Sequence, residues 1–276
     1  MQNLILDLDL AREIELAEAH AAVNCAELTA KSGVAADVSS IAGGFAIYCG
    51  AGSPVTQAVA LGLHRPVSTE DFTRLEQFYF ARNEPVRVET CPLADPTLFE
   101  HYKERGYYVT EFSNVMIRPV QNGFASSARP EHTANADIEI RRAAPEELDL
   151  WTMTVAQGFA ENYPVTHEIL SVMKVFASTK NTECYLARVN GKIAGGATLA
   201  LRGRIAGLFG ASTLVDYRNR GVQTALLHFR LKRAAETGCE LAMSLAVPGS
   251  HSQRNITRLG FQTLYTRVKF ERNCPR

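Results

Sequence analysis

The chain has no net charge, with 29 Lys and Arg against 29 Asp and Glu among 276 residues, and it holds a single tryptophan. It also lacks an apolar run of the ~20 residues that a membrane-spanning helix requires. Asp7 and Asp9 interrupt the N-terminal Leu-Ile-Leu, and charges recur from there on. The same acids, with no basic lead before them, argue against a secretory signal. A cytoplasmic protein with no membrane partner is therefore expected. No basic tract, no basic patch interleaved with aromatics and no recognition-helix pattern is present, so nucleic acid is not expected as a partner. The six cysteines are Cys25, Cys49, Cys91, Cys184, Cys239 and Cys274. None forms a CxxC pair or stands at zinc-ligand spacing with a histidine, so reduced core thiols and no metal site are expected.

What the sequence does contain is a globular composition, 46% apolar and 21% charged, in a chain longer than one small core usually organises. The zero charge hides an asymmetry: residues 1–136 carry 10 bases against 17 acids, and residues 137–276 carry 19 against 12. A basic half suits a polyanionic ligand, although chance drift between two solvated surfaces gives the same sums. Residues 121–136, rich in small and polar side chains, read as a linker between a domain at 1–120 and another at 137–276.

Helical spacing is read at Leu8–Lys31, closed by Gly33, at Thr69–Arg82, at Pro96–Arg105 and at Pro145–Phe159. Further helices are read at Gly221–Thr237 and Ser250–Leu259. Strands are read at Phe45–Cys49, Gln57–Leu63, Val86–Cys91, Tyr107–Arg118, Ile138–Arg141, Ile205–Leu214, Leu241–Val247 and Phe261–Phe270. A hairpin joins Glu183–Val189 to Lys192–Leu201 through Asn190-Gly191, both of which tolerate positive φ. Trp151, Phe159 and Phe176 sit at helical positions and read as core, with a substrate box as the alternative. The halves repeat. Gly106 and Gly260 lie 154 residues apart, Pro92 and Pro248 lie 156 apart, and the helix openings at Thr69 and Gly221 lie 152 apart. So steady an offset points to internal duplication.

The segment that carries chemistry follows Thr213-Leu214-Val215: Asp216-Tyr217-Arg218-Asn219-Arg220-Gly221-Val222-Gln223-Thr224, leading into an apolar helix. A strand that feeds a short Arg/Gly loop at a helix N-terminus leaves several N–H groups unpaired at the positive end of the helix dipole, a seat for phosphate oxygens. Arg218 and Arg220 can add charge-assisted bonds. No GK[ST] follows, so this is not a Walker loop. An ordinary capped helix is the alternative.

This segment resembles the phosphate loop of the GCN5-related N-acetyltransferase (GNAT) superfamily, Arg/Gln-x-x-Gly-x-Gly/Ala, with Gln223 in place of the final small residue. Arg258-Leu259-Gly260-Phe261 is similar to the end of the family's C-terminal helix. The resemblance implies an α/β (α+β) architecture of two tandem GNAT-like domains, each a mixed central sheet flanked by helices. It implies acetyl-CoA as co-substrate and direct attack by a primary amine of a small molecule on the thioester. Carried over, Thr213, Leu214 and Val215 hold pantetheine, amides from Asn219 to Thr224 hold the pyrophosphate, and Asn255 and Arg258 reach CoA.

The departures fall on the proton-transfer groups. Ile256 stands where many members place an acidic tyrosine, and Gly249-Ser250 stand where an asparagine is usual. Ser252, one helical turn before Ile256, and Tyr265 on the last strand are the hydroxyl candidates, with an N-cap role as the alternative for Ser252. His251 is read as a solvated loop residue or a base. Glu161 and Tyr163 lie where acceptor-facing helices connect in the family and are candidates to line the amine site. At the equivalent turn the first half has Pro66, Ser68, Glu70 and Asp71, which remove a donor and fill the helix terminus. A first domain that has lost CoA binding is expected. The alternative function is a non-catalytic acyl-CoA-binding or regulatory protein. A monomer or a homodimer is compatible with the internal pair.

Overall fold

A computed structural model of the chain describes residues 6–31, 33–120, 138–159 and 165–275. The linker read at 121–136 lies outside the described residues. The first elements are α1 (Leu8–Lys31), β1 (Asp37–Ile41), β2 (Gly44–Tyr48), β3 (Gln57–Val59), α2 (Thr69–Phe80), β4 (Val86–Thr90), α3 (Pro96–Arg105) and β5 (Tyr108–Pro119). There follow β6 (Ile138–Arg142), a 3₁₀ turn, α4 (Leu148–Phe159), α5 (His167–Ala177), β7 (Thr182–Val189), β8 (Lys192–Arg202) and β9 (Ile205–Thr213). The chain ends with a second 3₁₀ turn (Val215–Tyr217), α6 (Val222–Glu236), β10 (Leu241–Ala246), α7 (His251–Arg258) and β11 (Gln262–Arg272). The mixed α/β class expected from the sequence is observed.

Two compact units are present, and they are not the two sequential halves. The first comprises Met1–Val115 with Ala246–Pro248 and Thr263–Arg276, and the second comprises Met116–Leu245 with Gly249–Gln262. The last strand, read from the sequence as part of the second domain, is thus counted with the first unit.

In the first unit the strand order is β1-β2-β3-β4-β11-β5. Pairing is antiparallel except between β3 and β4. β3 is shorter than the strand read at Gln57–Leu63, because Ala60 and Gly62 take positive φ and turn the chain out of the ladder. The core gathers Phe72, Leu75 and Tyr79 of α2 with Leu98 and Tyr102 of α3. Phe270 of β11 stacks on Tyr102 at 4.3 Å between ring centroids. Each fully buried side chain of this size contributes roughly 1.5–3 kcal/mol of transfer free energy.

In the second unit the order is β10-β9-β8-β7-β6, antiparallel except for β9 with β10. Asn190 and Gly191 take φ of 50° and 77°, the left-handed pair that the β7–β8 hairpin requires. α4 and α6 cover opposite faces of this sheet. A Cβ on Gly196 would meet Trp151 and Val155 of α4, whereas a Cβ on the adjacent Gly195 would meet Val222 of α6. Trp151, Val155 and Leu186 centre the core under α4. The repeat seen in the sequence has structural counterparts: β4–α3–β5 and β10–α7–β11 each place a left-handed glycine, Gly106 and Gly260, between helix and strand.

Candidate acyl-CoA site

The site begins where two parallel strands part. β9 and β10 are in register only over Ile205–Leu241, Ala206–Ala242 and Gly207–Met243. Both strands run on past these pairs, β9 as far as Thr213 and β10 as far as Ala246. At the fork Ser244 Oγ donates to Leu208 O at 3.0 Å. Beyond it, β9 backbone on that side faces no ladder partner among the described residues, so its polar groups can serve a ligand.

On its other edge β9 carries a bulge. Gly196 pairs with Ser212 and Thr198 with Phe209, so Gly210 and Ala211 stand opposite the single Ala197. Gly210 has φ of 52°, and a Cβ there would approach Thr198 Oγ1 at 3.1 Å. α4 presses on the same stretch: Ser212 Oγ donates to Val155 O at 3.1 Å, and a Cβ on Gly158 would overlap Ser212 Oγ.

Past Thr213 the chain makes a 3₁₀ turn in which Tyr217 N donates to Leu214 O and Arg218 N to Val215 O. Asn219 and Gly221 then take φ of 60° and 83°, which wraps the backbone into the start of α6. Among the described residues no side chain caps this helix, and no acid lies in its first turn. The first bond back to the cap is Ala225 N to Gly221 O at 2.9 Å, so the amides of Val222, Gln223 and Thr224 precede the intrahelical ladder. Arg218, Asn219 and Arg220 are exposed around them. Arg220 lies over the Tyr217 ring at 5.4 Å, and Arg218 Nη2 donates to Gly158 O at 3.4 Å. Amides, dipole and two guanidiniums meet at one turn with no carboxylate in the helix opening, so the donor set suits a diphosphate. Thr213 Oγ1, buried and without a hydrogen-bond partner among the described residues, stands where the fork meets this turn.

Gln223, the departure from the family loop, turns sideways. Its Oε1 accepts from Asn255 Nδ2 of α7 at 2.7 Å, and Asn255 Oδ1 accepts from Arg258 Nη1 at 3.3 Å. Asn255 and Arg258 are thereby brought beside the opening of α6. Ser250, not Ser252, caps α7, its Oγ accepting from Gln253 N at 3.1 Å. Ser252 is half-buried on the first turn, His251 is exposed and Ile256 is buried.

Tyr265 is counted with the first unit and is buried, with its hydroxyl donating to Glu15 Oε1 at 2.7 Å. Burial, reinforced by the Glu15 charge, holds its proton far more tightly than usual. Around it Arg267 pairs with Glu15, Glu18 and Glu89. The Tyr265 hydroxyl is committed to that buried network. Glu161 and Tyr163 lie outside the described residues. The splayed strand is what the family resemblance implies, whereas the bulge leaves no local sequence pattern beyond Gly210.

The equivalent turn of the first unit is closed. Ser68 Oγ accepts from Asp71 N, and Asp71 Oδ2 accepts from Ser68 N, a reciprocal capping box. Arg65 grips Asp71 through both nitrogens at 2.5 and 3.0 Å, and its bond leads in holding that carboxyl down to about 2. Val67 N donates to Thr97 Oγ1.

Residues 148–261 match the family model described as "Acetyltransferase (GNAT) family". Among solved structures, a GCN5-related N-acetyltransferase from Kribbella flavida matches with a TM-score of 0.62 at 15% identity, over 91% of this chain and 94% of that one. A tandem GNAT protein from the clavulanic acid biosynthesis pathway matches with a TM-score of 0.58 at 11% identity, over 84% and 83%. A GCN5-related N-acetyltransferase from Sphaerobacter thermophilus matches with a TM-score of 0.54 at 16% identity, over 70% and 61%. No protein with a curated description matches. At these identities the likenesses establish the tandem fold.

Proposed function

We propose, from the match of residues 148–261 to the GNAT family model, that the chain transfers an acetyl group from acetyl-CoA to a primary amine of a small molecule. The observation that carries the reading is the uncapped opening of α6 beside a strand fork. Amides from Asn219 to Thr224 hold the pyrophosphate, helped by Arg218 and Arg220. The β9 backbone at Thr213 and the following Leu214 and Val215 hold the pantetheine arm. Asn255 and Arg258 close the site from α7. When bound, acetyl-CoA supplies an activated thioester; the chain's own part is to fix the carbonyl against backbone N–H groups and bring the amine into line. The amine attacks neutral, so its proton passes to solvent or a base during the step. With the Tyr265 hydroxyl bonded to Glu15 and Ile256 apolar, Ser252 is the favoured hydroxyl candidate to protonate the departing thiolate. Thiolate is a good leaving group, and solvent can replace this acid.

The missing tyrosine also favours a second reading, a non-catalytic acyl-CoA-binding or regulatory protein. Calorimetry with acetyl-CoA, followed by a free-thiol assay across a panel of amines, separates the two. Binding with amine-dependent thiol release is expected. Binding with no release from any amine selects the regulatory reading, and no binding at saturating acetyl-CoA removes both.

A further inference from the structure

Arg230, midway along α6, is fully buried, and among the described residues it has no ion-pair partner. Burial lowers its guanidinium to about 9. A cation held without a counter-charge in a protein interior costs several kcal/mol relative to an apolar side chain of the same size. Packing alone does not account for it, since methionine would fill the space without that cost. Its bonds show what the charge is used for. Nε donates to Leu226 O in its own helix at 3.2 Å, while Nη1 donates to Thr198 O at 2.9 Å and Phe209 O at 3.3 Å.

Thr198 and Phe209 are not an arbitrary pair. They are the last regular register pair before Gly210 and Ala211 bulge out of β9. Phe209 also lies two residues past Gly207, where β9 and β10 part. Arg230 therefore ties both strands at the root of the bulge from the α6 face. Ser212, bonded to Val155 O of α4, ties its far end. Bulged backbone loses ladder bonds and tends to fluctuate; here it is clamped at both ends.

We propose that Arg230 is a positioning residue for acyl transfer, fixing the Gly210–Ala211 bulge so that the freed β9 backbone presents a rigid set of N–H donors to the thioester carbonyl. This rests on the acetyl-CoA reading of the fork. Catalytic hydrogen bonds lose much of their effect when their donors must first be ordered, so the clamp acts on rate more than on binding.

The test compares Arg230→Met, which matches volume and removes both donors and charge, with Arg230→Lys, which keeps the charge. Amide hydrogen exchange of the unliganded full chain, acetyl-CoA affinity by calorimetry and steady-state kinetics with an accepted amine are the readouts. For Arg230→Met, exchange at residues 209–213 is expected to rise tenfold or more, with β7 unchanged. Acetyl-CoA affinity and amine KM stay within about threefold, while kcat falls about 30-fold or more. Arg230→Lys recovers part of both losses, and decides the matter should Arg230→Met not fold. Unchanged exchange in the bulge, or kcat within threefold of wild type, overturns the role. A wild-type chain that binds no acetyl-CoA overturns the functional reading itself, which the wild-type arm alone reveals.

Discussion

Two helices of this chain open at the same place in a repeated unit, and they dispose of their N-terminal amides in opposite ways. At α2 the amides of Ser68 and Asp71 are satisfied by each other's side chains, and that of Val67 by Thr97. Arg65, the nearby base, is spent on Asp71. At α6 no side chain among the described residues caps the helix, Gly221 and Asn219 adopt positive φ, and Arg218 and Arg220 are exposed. A duplicated frame thus supports either a self-contained turn or a receptive one, and a handful of side chains decides between them. Closing a helix end internally adds stability. Leaving it open forgoes that gain, which a bound anion restores.

The comparison breaks most visibly if the open turn is given the closed turn's chemistry. Gly221→Asp puts a carboxylate at the cap and a Cβ at φ of 83°, where an L side chain costs roughly 1–2 kcal/mol. Repulsion of the diphosphate adds to this strain. Acetyl-CoA affinity measured by calorimetry is expected to fall at least about 100-fold, or about 2.7 kcal/mol. Affinity within threefold of wild type would mean that α6 is not the phosphate seat.

The converse change sharpens it. Asp71→Ala removes one half of the capping box and should cost about 1 kcal/mol of stability, with acetyl-CoA affinity unchanged. The effect has a defined pH dependence. Asp71 titrates near 2 in the folded chain, below its ordinary 3.8, because Arg65 and the Ser68 amide favour the carboxylate. A depressed acid contributes stability above its unfolded value and loses it as pH falls through the folded one. Denaturant midpoints of wild type and variant should therefore differ at pH 7, begin to converge below about pH 3.8, and meet near pH 2. A difference that persists at pH 2 would show that the carboxylate is not its source.

Much of this was legible in the sequence, for a physical reason. Helix openings are contiguous, so Ser68-Thr69-Glu70-Asp71 and Arg218-Asn219-Arg220-Gly221 can be read from neighbours alone. α1 and α3 were placed to the residue by their spacing and by Gly33 and Gly106. The short strand β1 is not read from the sequence, because Val38 and Ile41 do not alternate, and α5 is read only through the helical position of Phe176, without bounds. Non-local features were not legible. That Tyr265 and Arg267 join Glu15, 250 residues and more away, depends on the last strand being counted with the first unit. Arg230 did leave a trace: it falls at the helical spacing of Leu226 and Ala234, a base on the apolar face, where a solvated charge does not belong.

The smallest change bears on why the open turn tolerates Gln223. Glycine or alanine at this position leaves room above the loop, yet the glutamine does not fill it, because Asn255 Nδ2 draws its Oε1 toward α7. The bond links the opening of α6 to α7, the helix that carries Asn255 and Arg258, the two residues proposed to close the site. Gln223→Ala restores the small residue of the family loop and removes the link. A single neutral side-chain bond contributes about 1 kcal/mol, and here only part of it is transmitted to the ligand. Acetyl-CoA affinity is expected to weaken about threefold, and Asn255→Ala should do the same. The double variant should lose no more than either alone, since both remove one bond. Additive losses would instead mean that the two side chains meet the coenzyme separately, and that the open turn is held from one side only.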